Sequence, residues 1–256
     1  MDKQKWPQRL WIIRHGQSAG NVARDLAESK NLPFIDIETR DMDTPLSSLG
    51  EKQSHALGQW FSQLSEEERP HVILCSPYER ALSTARIVTN TASFLRDDVP
   101  LISDERLREK EFGILDRLTK FGIQEKYPEL NEQRQHVGKF YFRPPGGESW
   151  CDVILRLRNV LDTLSRDHNE QNVLIIAHQV IVNCFRYLLE QMDEKAILDA
   201  DRLGDISNCG ITSYRFDPTI GKNGKLVLEL LNFVAPLRDA GSPVTTEPDI
   251  PAAPKS

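Results

Sequence analysis

The sequence of 256 residues has no long apolar segment. Its longest uninterrupted apolar run, at residues 173–177, is far shorter than the roughly 20 residues that a helix needs to cross a bilayer. Residues 1–9 are predominantly polar and lack the apolar stretch and small-residue cleavage site of an export signal. These absences favour a soluble, cytoplasmic protein that does not bind membranes.

Cysteine is also scarce, and its spacing excludes two common uses. The four cysteines lie far apart and form no C-x-x-C pair, so neither a zinc site nor a redox motif is indicated. Because nothing in the sequence indicates export, we expect all four to be reduced thiols. They are Cys75, Cys151, Cys184 and Cys209.

Basic residues are too few for a nucleic-acid partner. The chain has 32 Lys and Arg residues against 38 Asp and Glu residues, which gives a formal net charge of -6. Nucleic acids and anionic membranes require a broad basic face, so both are excluded as expected partners. Any anion-binding site must therefore be local.

Short apolar stretches alternate with segments of helical periodicity. Residues 10–14, 72–76 and 173–178 predict buried strands. Helices are predicted after Glu148, from Ser47 or Ser48, and after Pro77, where proline suits the first turn. This alternation predicts an α/β fold with a parallel sheet.

The C-terminal part of the chain differs in pattern. Residues 211–216 and 226–234 predict two strands joined by a turn at 221–224, which indicates an antiparallel edge. From Pro236 the chain has five prolines among small and polar residues, a composition that predicts a tail disordered at least in part. We therefore expect one domain over residues 1–235 and a tail over 236–256.

The tripeptide Arg14-His15-Gly16 directly follows the apolar run at residues 10–13 of the first predicted strand. It presents an imidazole and a guanidinium at the carboxyl edge of the sheet, where open α/β folds bind their ligands. This pairing indicates phosphoryl transfer through a phosphohistidine. Taken alone, His15 could equally be a strand-end residue, so the hypothesis requires further cations, a proton donor and a second imidazole elsewhere in the chain.

Three later segments supply these groups. Arg80 lies near the start of the third predicted helix, where its side chain and the helix dipole could both face an anion. Glu109 lies beside an aromatic residue and a glycine, and repulsion by a bound phosphate dianion would keep its carboxyl group protonated as a donor. His178 ends the predicted strand at 173–178, as His15 ends the first.

These motifs, together with residues 43–53 and 145–149, resemble the histidine phosphatase superfamily, the phosphoglycerate-mutase-like group, over residues 10–235. The resemblance implies a three-layer αβα sandwich with a mostly parallel central sheet. It also implies a phosphate site enclosed by Arg14, His15, Arg80 and His178. Asn21 matches an asparagine of the family that also contacts the phosphate, and Gln179 is similar to a residue of the fructose-bisphosphatase branch.

The resemblance also implies a mechanism. His15 attacks phosphorus through one ring nitrogen, while a backbone carbonyl, expected to be that of Gly16, holds the proton on the other. Glu109 protonates the departing alkoxide and later acts as the base for water, and His178 stabilises charge on the phosphoryl oxygens. No metal and no other cofactor is implied.

Three functions remain open in the sequence: a phosphomonoester hydrolase of small metabolites, a phosphoglycerate mutase, and a phosphate-binding module without activity. Mutases of the family usually have arginine and tyrosine where this chain has Lys110 and Phe112, which favours the hydrolase. The presence of every required residue argues against an inactive module. Residues 22–43 and 114–145 are expected to determine specificity, but the physiological substrate and the oligomeric state are not indicated.

Overall fold

The computed structural model describes residues 4–93 and 99–247. Six strands form one sheet: β1 (Arg9–Arg14), β2 (Val72–Cys75), β3 (Leu101–Ser103), β4 (Asn172–Ala177), β5 (Ile211–Asp217) and β6 (Lys225–Phe233). Their order in the sheet is β3-β2-β4-β1-β5-β6. Strand β4, late in the chain, thus lies between β1 and β2.

The sheet is mostly parallel. Strand β4 pairs in parallel with both β1 and β2, and β2 pairs in parallel with β3. Strands β5 and β6 pair antiparallel and continue the sheet on the far side of β1, as the sequence predicts. The carboxyl ends of β1, β2, β3 and β4 therefore meet at one edge of the sheet.

Helices cover both faces of the sheet. Their bounds are α1 (Ala19–Ser29), α2 (Ser48–Ser62), α3 (Glu79–Thr91), α4 (Lys120–Lys126), α5 (Pro128–Val137), α6 (Trp150–Asp167), α7 (Gln179–Leu189), α8 (Glu194–Leu203) and α9 (Ala235–Asp239). Helix α3 begins after Tyr78, so Pro77 precedes the helix and is not in its first turn. Helices α4 and α5 are separate, because Tyr127 between them precedes a proline and leaves the α conformation.

The two apolar faces of β1 show how the layers form. Leu10 and Ile12 pack in a cluster with residues of α6 and α7, whereas Trp11 and Ile13 pack on the opposite face with residues of α2, α3 and α9. This alternation follows from the two-residue period of a strand. Apolar burial on both faces is the main stabilising term, and it confirms the predicted three-layer αβα sandwich.

The structure describes residues 236–247 of the segment that the sequence predicts to be disordered at least in part, and these residues include helix α9. Helix α9 buries Leu237 completely against the cluster that includes Leu57 and Phe61 of α2. The prolines and polar residues of this segment gave no indication that the side chain of Leu237 packs in the core. Residues 248–256 lie outside the described part of the chain.

The cysteines are free, as expected: Cys75, Cys184 and Cys209 are buried and Cys151 is partly buried. Burial raises the pKa of the Cys209 thiol to about 12, which keeps it protonated and unreactive. Within residues 4–93 and 99–247, no helix is both long enough and apolar enough to cross a membrane.

Candidate active site

His15 and His178 lie side by side at the carboxyl edge of the sheet. Strands β1 and β4 are parallel neighbours in which Arg14 is paired with Ala177, so the next residue of each strand is a histidine at the same level. The two ring centroids are 5.1 Å apart. The sequence indicated two strand-end histidines, and the strand order brings them together.

The neighbours of His15 determine where its ring carries a proton. Its Nδ1 is 2.6 Å from the carbonyl oxygen of Gly16, which can only accept a hydrogen bond. Its Nε2 is 3.2 Å from Nε of Arg80, which can only donate one. In the neutral ring the proton is therefore on Nδ1, and the lone pair of Nε2 is directed towards Arg80.

The loop after His15 is held by helix α2. A Cβ atom on Gly50 would lie 2.0 Å from the carbonyl oxygen of Gln17, so only glycine permits this close approach of helix and loop. Gln53 accepts a hydrogen bond from the Gln17 amide through Oε1 at 2.9 Å. The motif at residues 43–53 thus positions the loop that follows His15.

Ser76 and Tyr78 complete the surroundings of His178. The hydroxyl oxygen of Ser76, directly after β2, is 2.7 Å from Nε2 of His178. The Tyr78 ring centroid is 5.2 Å from that of His178 and 5.0 Å from Cζ of Arg80. Burial and a hydrogen bond to Glu111 raise the pKa of Tyr78, so its hydroxyl group stays protonated. Both residues lie within four positions of Arg80 in the chain, but neither was predicted to be a site residue.

Arg80 contacts an acidic residue that the sequence did not indicate. Its Nη1 donates to Oδ1 of Asp41 at 2.9 Å and to the Asp41 carbonyl oxygen at 2.6 Å, while Nη2 is 3.3 Å from Oδ2. Asp41 lies in a short 3₁₀ helix, Asp41–Asp43, at the end of the long segment 22–43. The Asp41 carboxylate therefore binds one edge of the Arg80 guanidinium, a group that is predicted to bind phosphate.

Arg14 and Asn21 converge on one oxygen atom. Arg14 donates from Nη1 to the carbonyl oxygen of Ile206 at 2.7 Å, and from Nη2 to the carbonyl oxygen of Glu247. Asn21 accepts from the Ser18 amide at the start of α1, and its Nδ2 donates to the same Glu247 oxygen at 3.3 Å. The two side chains thus point their donors to a common position.

Glu109 lies in the segment that follows β3, at the same edge of the sheet, and is 1% exposed. Its Oε1 accepts a hydrogen bond from the Lys110 amide at 2.7 Å, and its carbonyl oxygen accepts one from Arg156 at 3.2 Å. Glu148 binds the Glu111 amide at 3.0 Å and Arg156 Nε at 3.0 Å. The motif at residues 145–149 therefore holds the Glu109 segment against α6.

Gln179 lies at the start of α7, next to His178, and its Nε2 donates to Oδ1 of Asp205. Its predicted contact with phosphate stays a prediction.

The segments 22–43 and 114–145 contact each other. The Ile35 amide donates to the carbonyl oxygen of Arg117 at 2.8 Å, and the Thr119 amide donates to that of Pro33 at 3.1 Å. A Cβ atom on Gly122 would lie 1.9 Å from the Pro33 carbonyl oxygen, so α4 packs directly on this segment. The two segments expected to determine specificity thus form one structural unit.

The arrangement suits an anion. The four side chains predicted to enclose phosphate are at most 2% exposed: Arg14, His15, Arg80 and His178. Buried cationic groups are stable only with acceptors close by, and a phosphate dianion offers several. Over the described part of the chain, no three His, Cys, Asp or Glu side chains cluster as a metal site.

Comparisons with known proteins agree with this geometry. Residues 10–226 match the histidine phosphatase superfamily (branch 1). A phosphoglycerate mutase-like protein of Arabidopsis thaliana is 28% identical over 228 residues, which is 81% of this chain and 74% of that protein. The 6-phosphofructo-2-kinase/fructose-2,6-bisphosphatase of Caenorhabditis elegans is 32% identical over 70% of this chain, but the match spans only 33% of its length.

Solved structures share the fold over nearly their whole length. A putative alpha-ribazole-5'-P phosphatase from Escherichia coli superposes with a TM-score of 0.68 at 23% identity, covering 90% of this chain and 98% of that one. A mycobacterial glucosyl-3-phosphoglycerate phosphatase with inorganic phosphate gives 0.66 at 22% identity, covering 90% and 99%. The family match over residues 10–226, with the paired histidines at the sheet edge, shows that this chain belongs to branch 1 of the histidine phosphatase superfamily.

Proposed function

We propose that this protein hydrolyses phosphomonoesters of small metabolites through a phosphohistidine at His15. The observation that carries the proposal is the fixed tautomer of His15. With Nδ1 hydrogen-bonded to the Gly16 carbonyl oxygen at 2.6 Å, the lone pair is on Nε2, which accepts a hydrogen bond from Arg80, and the ring lies beside that of His178. An oriented, unprotonated imidazole nitrogen among cations is what nucleophilic attack on a phosphate dianion requires.

The first step forms a bond between Nε2 of His15 and phosphorus. The ester bond between phosphorus and the substrate oxygen breaks, and Glu109 gives a proton to the departing alkoxide. In the second step water attacks phosphorus, Glu109 accepts its proton, and the bond from phosphorus to nitrogen breaks. The products are an alcohol and inorganic phosphate, and Glu109 returns to its protonated form.

Arg14, Arg80 and His178 stabilise the phosphoryl oxygens during both steps. The three side chains are held in place before the substrate arrives, since each is buried. Arg14 ends β1, His178 directly follows β4, and Arg80 lies in the first turn of α3. Removing one preorganised donor from such a site typically costs about a hundred- to a thousandfold in rate. The same cations neutralise the charge that a metal ion neutralises in other phosphoryl-transfer enzymes, so we propose a metal-independent reaction.

Hydrolysis is favoured over the mutase alternative by the neighbours of Glu109. Lys110 and Phe112 stand where mutases of the family usually have arginine and tyrosine, and the Lys110 amine lies 4.3 Å from the centroid of the Phe112 ring. Proteins of similar sequence or fold include several named as phosphatases, which supports the hydrolase. The proposal includes a cytoplasmic setting and a small-molecule substrate, without nucleic-acid or membrane partners.

An assay with an aryl phosphate tests the proposal, run beside an assay for phosphoglycerate interconversion with and without a bisphosphoglycerate primer. We expect phosphate release that survives EDTA and disappears in His15→Asn. The matched control is His55→Asn, because His55 is exposed on α2, where its Nδ1 lies 3.0 Å from the Thr91 hydroxyl oxygen. Primer-dependent interconversion faster than phosphate release would establish the mutase. Phosphate binding without either reaction would establish an inactive module.

A further inference from the structure

A segment near the C-terminus, residues 242–247, crosses the phosphate-binding groups; we call it the strap. It leaves α9 through Gly241, whose φ of +65° turns the chain back, and the Ser242 amide donates to the Leu237 carbonyl oxygen at 2.8 Å. Gln53 then donates to the Pro243 carbonyl oxygen at 3.0 Å and to the Thr245 hydroxyl at 2.9 Å. The strap therefore follows a defined path across the site.

Asn208 makes two hydrogen bonds to Thr245, in the middle of the strap. The backbone amide of Asn208 donates to the Thr245 carbonyl oxygen at 2.9 Å, and its side-chain Oδ1 accepts from the Thr245 hydroxyl at 2.9 Å. Asn208 also donates from Nδ2 to the carbonyl oxygen of His15 at 3.1 Å. One asparagine thus links the strap to the residue proposed as the nucleophile.

The strap ends on the phosphate-binding donors themselves. The Glu247 carbonyl oxygen accepts hydrogen bonds from Arg14 Nη2 and Asn21 Nδ2. Its carboxylate accepts one from Gln17 Nε2 at 3.2 Å through Oε1, while Oε2 is buried and makes no hydrogen bond to a residue that the structure describes. The Glu247 carbonyl oxygen thus stands where an oxygen of a phosphate would bind, with the Glu247 carboxylate on the neighbouring Gln17.

We propose that the strap inhibits the enzyme by competing with phosphate for Arg14 and Asn21. This inference rests on the proposed function, because it assigns those donors to the substrate. A donor hydrogen that binds the Glu247 carbonyl oxygen cannot at the same time bind a phosphoryl oxygen in the same position. The strap must therefore leave before the substrate is fully bound.

The contacts of the strap suit a detachable segment. Hydrogen bonds hold the strap in place, and the side chains of Pro243, Val244 and Thr246 are exposed. Its anchor is different in kind, because Leu237 of α9 is completely buried. The strap can therefore detach at Gly241 while α9 stays in the core. As a tethered competitor it reduces the apparent affinity for phosphate by the fraction of molecules in which it is docked.

Two variants of the full-length chain test the inference. Thr245→Val keeps the side-chain shape but removes the hydroxyl that bonds Gln53 and Asn208. Thr246→Val is the matched control, because Thr246 is exposed. We expect Thr245→Val to lower KM for an aryl phosphate and the dissociation constant of inorganic phosphate by the same factor, about two- to tenfold, with kcat unchanged. The control should change neither.

Two truncations sharpen the test. A chain that ends after Gly241 lacks the strap, whereas one that ends after Glu247 keeps it. The first should bind inorganic phosphate more tightly than the second, and a synthetic peptide of residues 242–247 should compete with phosphate for it. Equal or weaker phosphate binding after loss of the strap, together with no change in Thr245→Val, would overturn the inference.

Calorimetry of phosphate binding separates failure of the strap from failure of the enzyme. It requires no turnover, so the competition between strap and phosphate is measured even if no variant hydrolyses any ester. Tighter phosphate binding without catalysis would support the strap and contradict the proposed hydrolase. Catalysis with unchanged phosphate affinity in every variant would do the reverse.

Discussion

Arg80 donates a hydrogen bond from Nε to Nε2 of His15 over 3.2 Å. This bond holds the ring nitrogen unprotonated, since the guanidinium has no lone pair to offer. It also predicts a rearrangement during the reaction. Once Nε2 is bonded to phosphorus it can no longer accept this hydrogen bond, so the Arg80 donor becomes available to a phosphoryl oxygen. In the proposed reaction Arg80 thus first orients the His15 ring and then stabilises the negative charge on a phosphoryl oxygen.

Substitution of Arg80 should therefore affect kcat more than KM. We expect Arg80→Ala to lower kcat by about a hundred- to a thousandfold, the usual loss for a preorganised donor. Arg86→Ala is the control, because Arg86 is exposed on the same helix and its ion pair with Glu79 is 3.9 Å long. Steady-state kinetics with an aryl phosphate measure both. A loss confined to KM would assign Arg80 to substrate binding alone.

The role of Glu109 is tested by the leaving group. Glu109→Gln cannot donate a proton as an acid, so esters with poorly departing alkoxides should slow far more than aryl phosphates, whose oxygen hardly needs a proton. Glu111→Gln is the comparison, because Glu111 is engaged by the Tyr78 hydroxyl at 2.7 Å. Rates are measured over a series of phosphate esters that differ in the acidity of the leaving alcohol. An equal loss on every ester would assign the acid to another residue.

Under the proposed function, Asp41 competes with the substrate for Arg80. Asp41→Asn removes the negative charge that now lies 2.9 Å from Nη1 of Arg80, while it keeps an oxygen acceptor of similar shape. We expect inorganic phosphate to bind the variant a few-fold more tightly, because less charge opposes it. Competitive inhibition of the hydrolase by phosphate measures the change. Weaker inhibition would show instead that Asp41 holds Arg80 in its productive position.

Lys110 gives a prediction about stability and pH. It is 7% exposed, and burial lowers its pKa from the ordinary 10.5 to about 8, although Glu109 and Glu148 oppose the shift. Below pH 8 the folded protein holds a buried cation, which is destabilising. Between about pH 8 and pH 10.5 the unfolded chain binds more protons than the folded one, so stability rises with pH there.

Lys110→Met should therefore be more stable than the parent at pH 7, by roughly 1–3 kcal/mol. This advantage should decrease as the pH rises from about 8 to 10.5, because the parent lysine becomes neutral in both states. Urea denaturation of both proteins at several pH values gives the difference in unfolding free energy. A difference independent of pH would show that the ammonium group is well solvated in the folded protein.

The sequence predicted the parts of the fold that depend on local pattern. The strands that directly precede His15 and His178 are evident from their apolar runs, and the antiparallel pair β5 and β6 from its turn. What local pattern does not contain is the order of strands, which depends on packing between distant segments. Only the position of β4 between β1 and β2 brings His178 next to both His15 and Ser76.

The same limit applies to the site. Asp41 and Glu247 contact the two arginines that are predicted to bind phosphate, yet neither belongs to a motif, because each is placed by the path of a long irregular segment. Residues 236–247 include one completely buried leucine, Leu237, in a stretch whose composition resembles disorder. The histidines at the strand ends were thus predictable from the sequence, whereas Asp41 and Glu247, which accept hydrogen bonds from the two arginines, were not.

Direct detection of the phosphoryl group on the protein tests the central claim. The protein is mixed with excess aryl phosphate, quenched under alkaline conditions that preserve phosphohistidine, digested and examined by mass spectrometry. We predict a phosphoryl group on the peptide that contains His15, formed and consumed at rates that match turnover, and absent from His15→Asn. Turnover without a phosphorylated peptide, or a phosphoryl group on any other residue during turnover, would contradict the account.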